Sequence, residues 1–402
     1  MNDKNIPFSP PDISQEEIDE VIDTLKSGWI TTGPKTKQLE KDIAKYCETE
    51  NATCLNSATA GLELVLRMFD IGEGDEVITT PYTFAATANV ILHTGAKPVF
   101  ADILDNEFNI DPKKIADVFT EKTKAVIPVD FAGYPVDYDE IKNVVNENKN
   151  KFKPKKGSLQ EHFDRAIILA DSAHSFGASY KNKMIGNVTD FAVFSFHAVK
   201  NLVTAEGGCI TFNSFDNLSS EEIYKNLQLL SLHGQSKDAL TKMKLGGWKY
   251  NIELAGYKCN MTDIQASIGL VQLKRYENEL LPKRKRIFEI YNEQFKDDDR
   301  FIIPPFNSEN KKTSYHLYPI RINGADEEKR NNIIQKMTDR KIAVNVHFIP
   351  VVMHSAYTKL GFSIKDFPYT YKAYQNEISL PIYSSLLEED VYRVCESLKA
   401  IV

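Results

Sequence analysis

The stretch "DFAVFSFHAVKNLVTAEGGCITF" (Asp190–Phe212) holds two apolar runs separated by a loop with one lysine, Lys200. "DFAVFSF" (190–196) and "GGCITF" (207–212) read as buried strands. The loop between them is too short for the helical crossover that parallel strands require, so the second strand is expected to return antiparallel. Five more β-rich runs lie upstream: "ATCLN" (52–56), "DEVITT" (75–80), "KPVFADI" (97–103), "KAVIPVD" (124–130) and "RAIILAD" (165–171). Most are separated by helical patterns. The expected fold is α/β, a mostly parallel sheet of about seven strands flanked by helices. Sheets of this kind gather ligands at the carboxyl ends of their strands.

Helices bracket this alternation. Ser14 and Glu17 in "SQEE" form a capping box, Ile18, Val21, Ile22 and Leu25 share one helical face, and Gly28 is a C-terminal stop. A second helix is expected from about Lys35 to Cys47. From Thr262, a candidate cap, the chain reads as helical through residue 295, with a kink or break at Pro282. A strand pair is expected near "SYHLYPIRI" and "IAVNVHFIP", and a final helix after "LPIYSSLLEED". These features suggest two domains: residues 1–284, large and α/β, and residues 285–402, smaller and α+β. A length of 402 residues favours two packed domains over one.

A net charge of −7 gives no general attraction to nucleic acid or acidic membrane. The basic run 149–158 reads as a solvated loop. The five cysteines are scattered without CxxC spacing, which fits reduced thiols in a cytoplasmic protein. No apolar run is long enough to span a bilayer.

The chemistry is sought at the strand ends. After "ATCLN", Ser57, Ala58 and Thr59 open a helix whose free N–H groups form an anion site; simple capping by Ser57 is the alternative. After "DEVITTP", Phe84 is either core or a platform for a flat ligand. Asp171 ends an apolar strand, where a carboxylate requires a cation or a donor. His174 follows it. Asp171, His174 and His197 could form a metal site, but no compact ligand spacing supports one. Ser195 ends the next strand and Lys200 follows in the loop. Burial lowers a lysine's pKa and makes its amine nucleophilic toward carbonyl compounds. Pyridoxal 5'-phosphate requires a lysine for its aldehyde, a carboxylate for its ring nitrogen, a phosphate cradle and an aromatic beside its ring. All four occur here at strand ends.

The segments "LNSATAGLEL", "PYTFAATANVI", "DSAHSFGA", "FSFHAVKNLVTAEGG", "YKCNMTDIQAS" and "VHFIPV" give the chain a resemblance to the DegT/StrS-type nucleotide-sugar aminotransferases, fold-type I pyridoxal-phosphate enzymes. The resemblance runs from "SGWITTGP" (27–34) to "ISLPIYSSLLEEDV" (378–391). It implies that Lys200 bonds the cofactor's aldehyde, Asp171 pairs with its ring nitrogen, Phe84 stacks on the ring and His174 lies beside it. It also implies that Ser57, Ala58, Thr59 and Ser195 hold the phosphate, and that Asn260 reaches the cofactor of a neighbouring subunit in a homodimer. Thr31, Thr32, His197 and His347 would lie near substrate.

The implied reaction moves an amino group from an amino acid, L-glutamate by resemblance, to a nucleotide-linked 4-keto or 3-keto sugar. A smaller phosphorylated ketone and a sugar dehydratase reaction are the alternatives, and the retained Lys200 favours transamination. A non-catalytic regulator of the same fold is disfavoured by the intact Lys200 and Asp171. The segment 144–165 and the loop 234–256 are longer than the family usually has, and the loop is expected near the substrate entrance. Glu206 receives no role.

Overall fold

The computed structural model describes residues 4–236 and 249–402. All seven expected strands form one sheet, in the order Asn51–Leu55, Gly208–Phe212, Phe191–Ser195, Ile167–Asp171, Thr123–Ile127, Glu76–Thr79, Lys97–Phe100. Gly208–Phe212 runs antiparallel to both its neighbours, and the other pairings are parallel. Apolar residues dominate the strands because both faces are covered. In register, Gly208 lies opposite Leu55 on one side and Ser195 on the other. The start of the returning strand therefore meets the carboxyl ends of two others at one sheet edge.

The first helix, Gln15–Ser27, has the expected capping box of Ser14 and Glu17, and Gly28 ends it at φ 75°. Its apolar face is not the face that docks. Ile18, Ile22 and Leu25 are 45%, 41% and 54% exposed, whereas Glu17 and Thr24 are buried. Glu17 accepts from Gln272 Nε2 and Arg275 Nη1, both at 2.7 Å, on the helix Asp263–Arg275. A paired and hydrogen-bonded charge thus decides which side of the helix is buried.

The second helix is Pro34–Tyr46, and its cap comes from elsewhere in the chain. Asp263, 1% exposed, accepts from the N–H groups of Gly33 (2.8 Å), Lys35 (3.0 Å) and Thr36 (2.9 Å) and from Thr36 Oγ1 (2.7 Å). Next to it, Thr262 caps its own helix in a box with Gln265. Pro282 does not break that helical run. A π-helical turn, Tyr276–Leu280, precedes it, and Leu281–Phe295 continues the run, so the turn absorbs the hydrogen bond that proline cannot donate.

The second, three-stranded sheet has Tyr318–Ile322 at its centre, between Phe301–Ile302 and Glu377–Leu380. The expected pairing with "IAVNVHFIP" is corrected. That segment makes only isolated bridges, Ile342 to Ile6 and Asn345 to Ser379. Its backbone is diverted because the His347 N–H donates to the Glu377 carboxylate at 3.0 Å instead of to a ladder. The final helix is Glu388–Lys399.

The basic run is surface, as expected: Lys149 and Lys153 pair with Asp164 and Glu121, and Lys155 with Asp70. All five cysteines are free and buried. Among the described residues, no helix is long and apolar enough to cross a membrane. Of the long loop 234–256, residues 237–248 lie outside the described residues.

Asp263 ties the second helix to the one after Thr262 with a single carboxylate. Asp263→Ala should lower stability by about 3 kcal/mol, read by urea denaturation, because several buried donors lose their acceptor together. Asp263→Asn should cost less, since it keeps one acceptor oxygen.

Candidate active site

The strand ends enclose a cavity of about 410 Å³. Ser57, Ala58, Thr59, Phe84, Asp171, His174, Ser195, His197, Lys200 and His347 all line it. The sheet edge gathers the residues from Ser57 to Lys200, and His347 joins them from a segment held to the second sheet.

The anion cradle is built by close packing. Ser57 caps the helix Ala58–Met68, its Oγ accepting from the Ala60 N–H at 3.1 Å. The N–H groups of Ala58 and Thr59, at the first two helical positions, have no acceptor within the helix. The cap and the anion site are therefore compatible readings of one turn. Gly208 passes so close that a Cβ there would lie 2.4 Å from Ala58 N. A Cβ on Gly207 would lie 2.1 Å from Thr204 Oγ1. Both glycines are needed for the approach.

Asp171 is 6% exposed. Its Oδ2 accepts from Thr87 Oγ1 at 2.7 Å and its Oδ1 from the Ala173 N–H at 3.2 Å. Burial raises its pKa against these bonds and against the Lys200 charge. Thr87 in turn shares a 2.7 Å hydrogen bond with Thr83. Lys200 is held by a turn in which its N–H donates to the His197 carbonyl at 2.8 Å. Burial pulls its ammonium down to about 8, opposed by Asp171. A nucleophilic amine near neutral pH results.

Phe84 is not core: it is 63% exposed at the cavity mouth, its ring 5.9 Å from that of Phe348. His174 is buried, and its Nδ1 accepts from the Ala132 N–H at 3.2 Å. Its ring lies 4.4 Å from that of His316. Burial and the Lys200 charge hold His174 well below the ordinary imidazole pKa. His197 is exposed, with Nε2 3.7 Å from Glu206 Oε1. No group of three or more His, Cys, Asp or Glu side chains among the described residues could hold a metal ion.

Thr31, Thr32 and Asn260 are not brought to this cavity. Asn260 Nδ2 donates to Thr32 Oγ1, Thr32 Oγ1 to the Met261 carbonyl, and the Asp263 N–H to the Thr31 carbonyl. These residues form a cluster of their own. Conversely, Phe8, Ser9, His316 and Phe348 line the cavity without having been expected, as does Glu206. Thr87, one helical turn beyond Phe84, carried a readable signal. Phe8 and His316 arrive by tertiary packing and had none.

The model of the DegT/DnrJ/EryC1/StrS aminotransferase family matches residues 11–399. The chain belongs to this family. It is 48% identical to "Putative sugar aminotransferase Spr1654 from Streptococcus pneumoniae" in its PMP form, with a TM-score of 0.95 and 99% of each chain covered. A PLP form of the same protein also matches, at 46% identity. The Helicobacter pylori aminotransferase PseC, involved in the biosynthesis of pseudoaminic acid, is 29% identical with a TM-score of 0.86 and 99% of each chain covered. "Spore coat polysaccharide biosynthesis protein SpsC" of Bacillus subtilis is 41% identical over 99% of this chain and 97% of its own length.

The lowered pKa of Lys200 has a direct readout in cofactor-free protein. At pH 8 an amine-selective reagent should label Lys200 ahead of the surface lysines, as peptide mass mapping would show. Asp171→Asn removes the charge that favours the ammonium, so the labelling profile should move to lower pH, by roughly one unit.

Proposed function

We propose that the chain is a pyridoxal-phosphate-dependent sugar aminotransferase. It takes the amino group of L-glutamate and delivers it to a nucleotide-linked 4-keto or 3-keto sugar for surface polysaccharide biosynthesis. The observation that carries this reading is the meeting of Lys200, Asp171, Phe84 and the Ser57–Thr59 turn in one cavity. The residues fit the cofactor. Gly208 packs against the Ser57–Ala58 turn with no room for a Cβ, and the Ala58 and Thr59 N–H groups at the cavity wall, which lack acceptors in their helix, suit a phosphate. Asp171 is a buried carboxylate placed to neutralise a ring N–H.

Bound there, pyridoxal phosphate supplies an electron sink that acidifies the C–H bond beside the transferred nitrogen. Asp171 holds a proton at the ring nitrogen through a charge-assisted hydrogen bond, with Thr87 and Ala173 fixing its orientation. Lys200, its ammonium pulled down to about 8 by burial, is the general base and then the acid at the reacting carbon. The buried, neutral imidazole of His174 packs beside the ring and adds no competing charge. Phe84, exposed at the cavity mouth, would cover one face of the bound cofactor. The enzyme works as a ping-pong catalyst: the donor leaves as a keto acid before the sugar enters.

We further propose a homodimer with shared sites, in the cytoplasm. Asn260, Thr31 and Thr32 stand off their own chain's cavity and would complete the partner's, and the exposed apolar residues Ile22, Leu25 and Ile30 suit a face covered by a second copy. Five free, buried thiols suit a reducing compartment.

Borohydride treatment of the cofactor-loaded protein should leave the cofactor's mass on the peptide carrying Lys200. Lys200→Ala should lower transamination by at least about 10³-fold. Failure of the wild type to bind pyridoxal phosphate would sink the reading. Mixing equal amounts of Lys200→Ala and Asn260→Ala chains should restore about a quarter of the wild-type rate, since half the dimers are mixed and each of these has one intact site. No recovery after subunit exchange would argue against shared sites.

A further inference from the structure

One buried series of side chains behind the cavity has no part in the chemistry above. His347 lines the cavity. Its Nδ1 lies 2.9 Å from Ser379 Oγ, which is bonded to Glu377 Oε1 at 2.5 Å. The other oxygen, Glu377 Oε2, accepts from the His347 N–H at 3.0 Å. Ser379 and Glu377 are both fully buried. The Tyr82 hydroxyl donates to the His347 carbonyl at 2.9 Å, and Phe8 stacks on the imidazole at 5.4 Å. The ring is therefore fixed in place, and Nε2 is the nitrogen left for the cavity.

We propose that Glu377, acting through Ser379, sets whether His347 Nε2 carries a proton, so that a neutral imidazole can either accept from or donate to an oxygen of the keto sugar. The inference rests on the aminotransferase reading for its ligand and on geometry alone for the relay. With Glu377 ionised, Ser379 donates to it, His347 Nδ1–H donates to Ser379, and Nε2 is bare. A proton arriving at Nε2 releases the one on Nδ1 to Ser379, and Ser379 passes its own to Glu377 Oε1. The ring stays neutral throughout and Nε2 becomes a donor. Serine has one proton to give, so the two ends of the series cannot change independently.

The surroundings favour this form of storage. Burial and the Lys200 charge pull His347 down to about 3, which disfavours an imidazolium. Burial raises Glu377 to about 8, against the hydrogen bonds from Ser379 and the His347 N–H and a smaller effect of the Arg330 charge. Arg330 does not pair with the carboxylate; its Nη1 donates to the Tyr374 and Glu377 carbonyls. The Tyr82 and Tyr374 hydroxyls have raised pKa values, and Arg321, the register partner of Glu377, is held by the Asn106 carbonyl. Toward the cavity, His174 and His316 are both held neutral by burial. Glu377 is thus the group of this neighbourhood whose charge changes near neutral pH, while Lys200 titrates on the cavity side. Glu377 and Ser379 are positioning residues and make no contact with ligand.

The test uses cofactor-free protein labelled with ¹⁵N in its histidines, the His347 signals being assigned by loss in His347→Gln. As pH rises through the Glu377 range, His347 should pass from the Nε2–H to the Nδ1–H tautomer. Glu377→Gln should lock Nε2–H, because the amide donates to Ser379 and turns that hydroxyl toward Nδ1. Ser379→Ala should abolish the pH dependence. In the loaded enzyme, the KM for the keto sugar should show a matching step with pH, and Glu377→Gln should flatten it and shift KM about tenfold, the worth of one hydrogen bond in a dry site. A His347 tautomer that is constant in the wild type, or that titrates alike in Ser379→Ala, overturns the relay. If Glu377→Gln does not fold, Ser379→Ala decides alone. Wild type that relays but binds no pyridoxal phosphate would instead refute the aminotransferase reading and leave the relay standing.

Discussion

The architecture of the site depends on one constraint: a single antiparallel strand, Gly208–Phe212, inserted between Asn51–Leu55 and Phe191–Ser195. Because it enters the sheet where its neighbours leave it, three chain segments crowd one edge. The first bears the helix that opens at Ser57, the second the loop to Lys200, and the third must pass between them. A side chain at Gly208 would occupy the space of the Ala58 amide. Two residues without side chains therefore allow the anion cradle and the nucleophilic amine to share a cavity. Backbone approach of this kind is decided by sterics at the ångström scale.

Around that edge the protein manages charge by burial. Lys200 and Asp171 are the opposed charges, and each moves the other's titration against the desolvation that both suffer. Three of the imidazoles that line the cavity, His174, His316 and His347, are kept neutral. A protonated imidazole there would compete with the lysine for the carboxylate. Each ring instead has a neutral partner: the Ala132 amide for His174, Asn201 for His316 and Ser379 for His347. These bonds orient the rings without adding charge, the arrangement a low-dielectric site requires.

Legibility in the sequence followed the range of the interactions. Strand existence and the direction of the last strand were readable because they depend on local apolar runs and on loop length. The capping box at Ser14 and the cap at Thr262 were readable because such bonds close within three residues. The docking side of the first helix was not: its apolar stripe suggested one face, and the Glu17–Arg275 pair, 258 residues apart, selected another. The cap of the second helix was equally hidden, since Asp263 supplies it from the far side of the chain. The strand partner of Tyr318–Ile322 was misread for the same reason. "IAVNVHFIP" has strand composition, but its His347 amide is claimed by a distant carboxylate.

The sequence by itself determined the α/β alternation, the residue types at the strand ends, and through them the four groups that a pyridoxal cofactor requires. It also carried the family resemblance that names their roles. Only the tertiary structure decided that Phe84 is exposed at a cavity mouth, that Ser57 caps a helix whose first turn lines that cavity, and that Thr31, Thr32 and Asn260 stand apart from their own chain's cavity. It alone brought His316 into the cavity wall and the Glu377–Ser379 pair behind it. The physical reason is that strand formation and capping are set by neighbours along the chain. Burial, pKa and hydrogen-bond partnership are instead set by neighbours in space, and no period in the sequence records them.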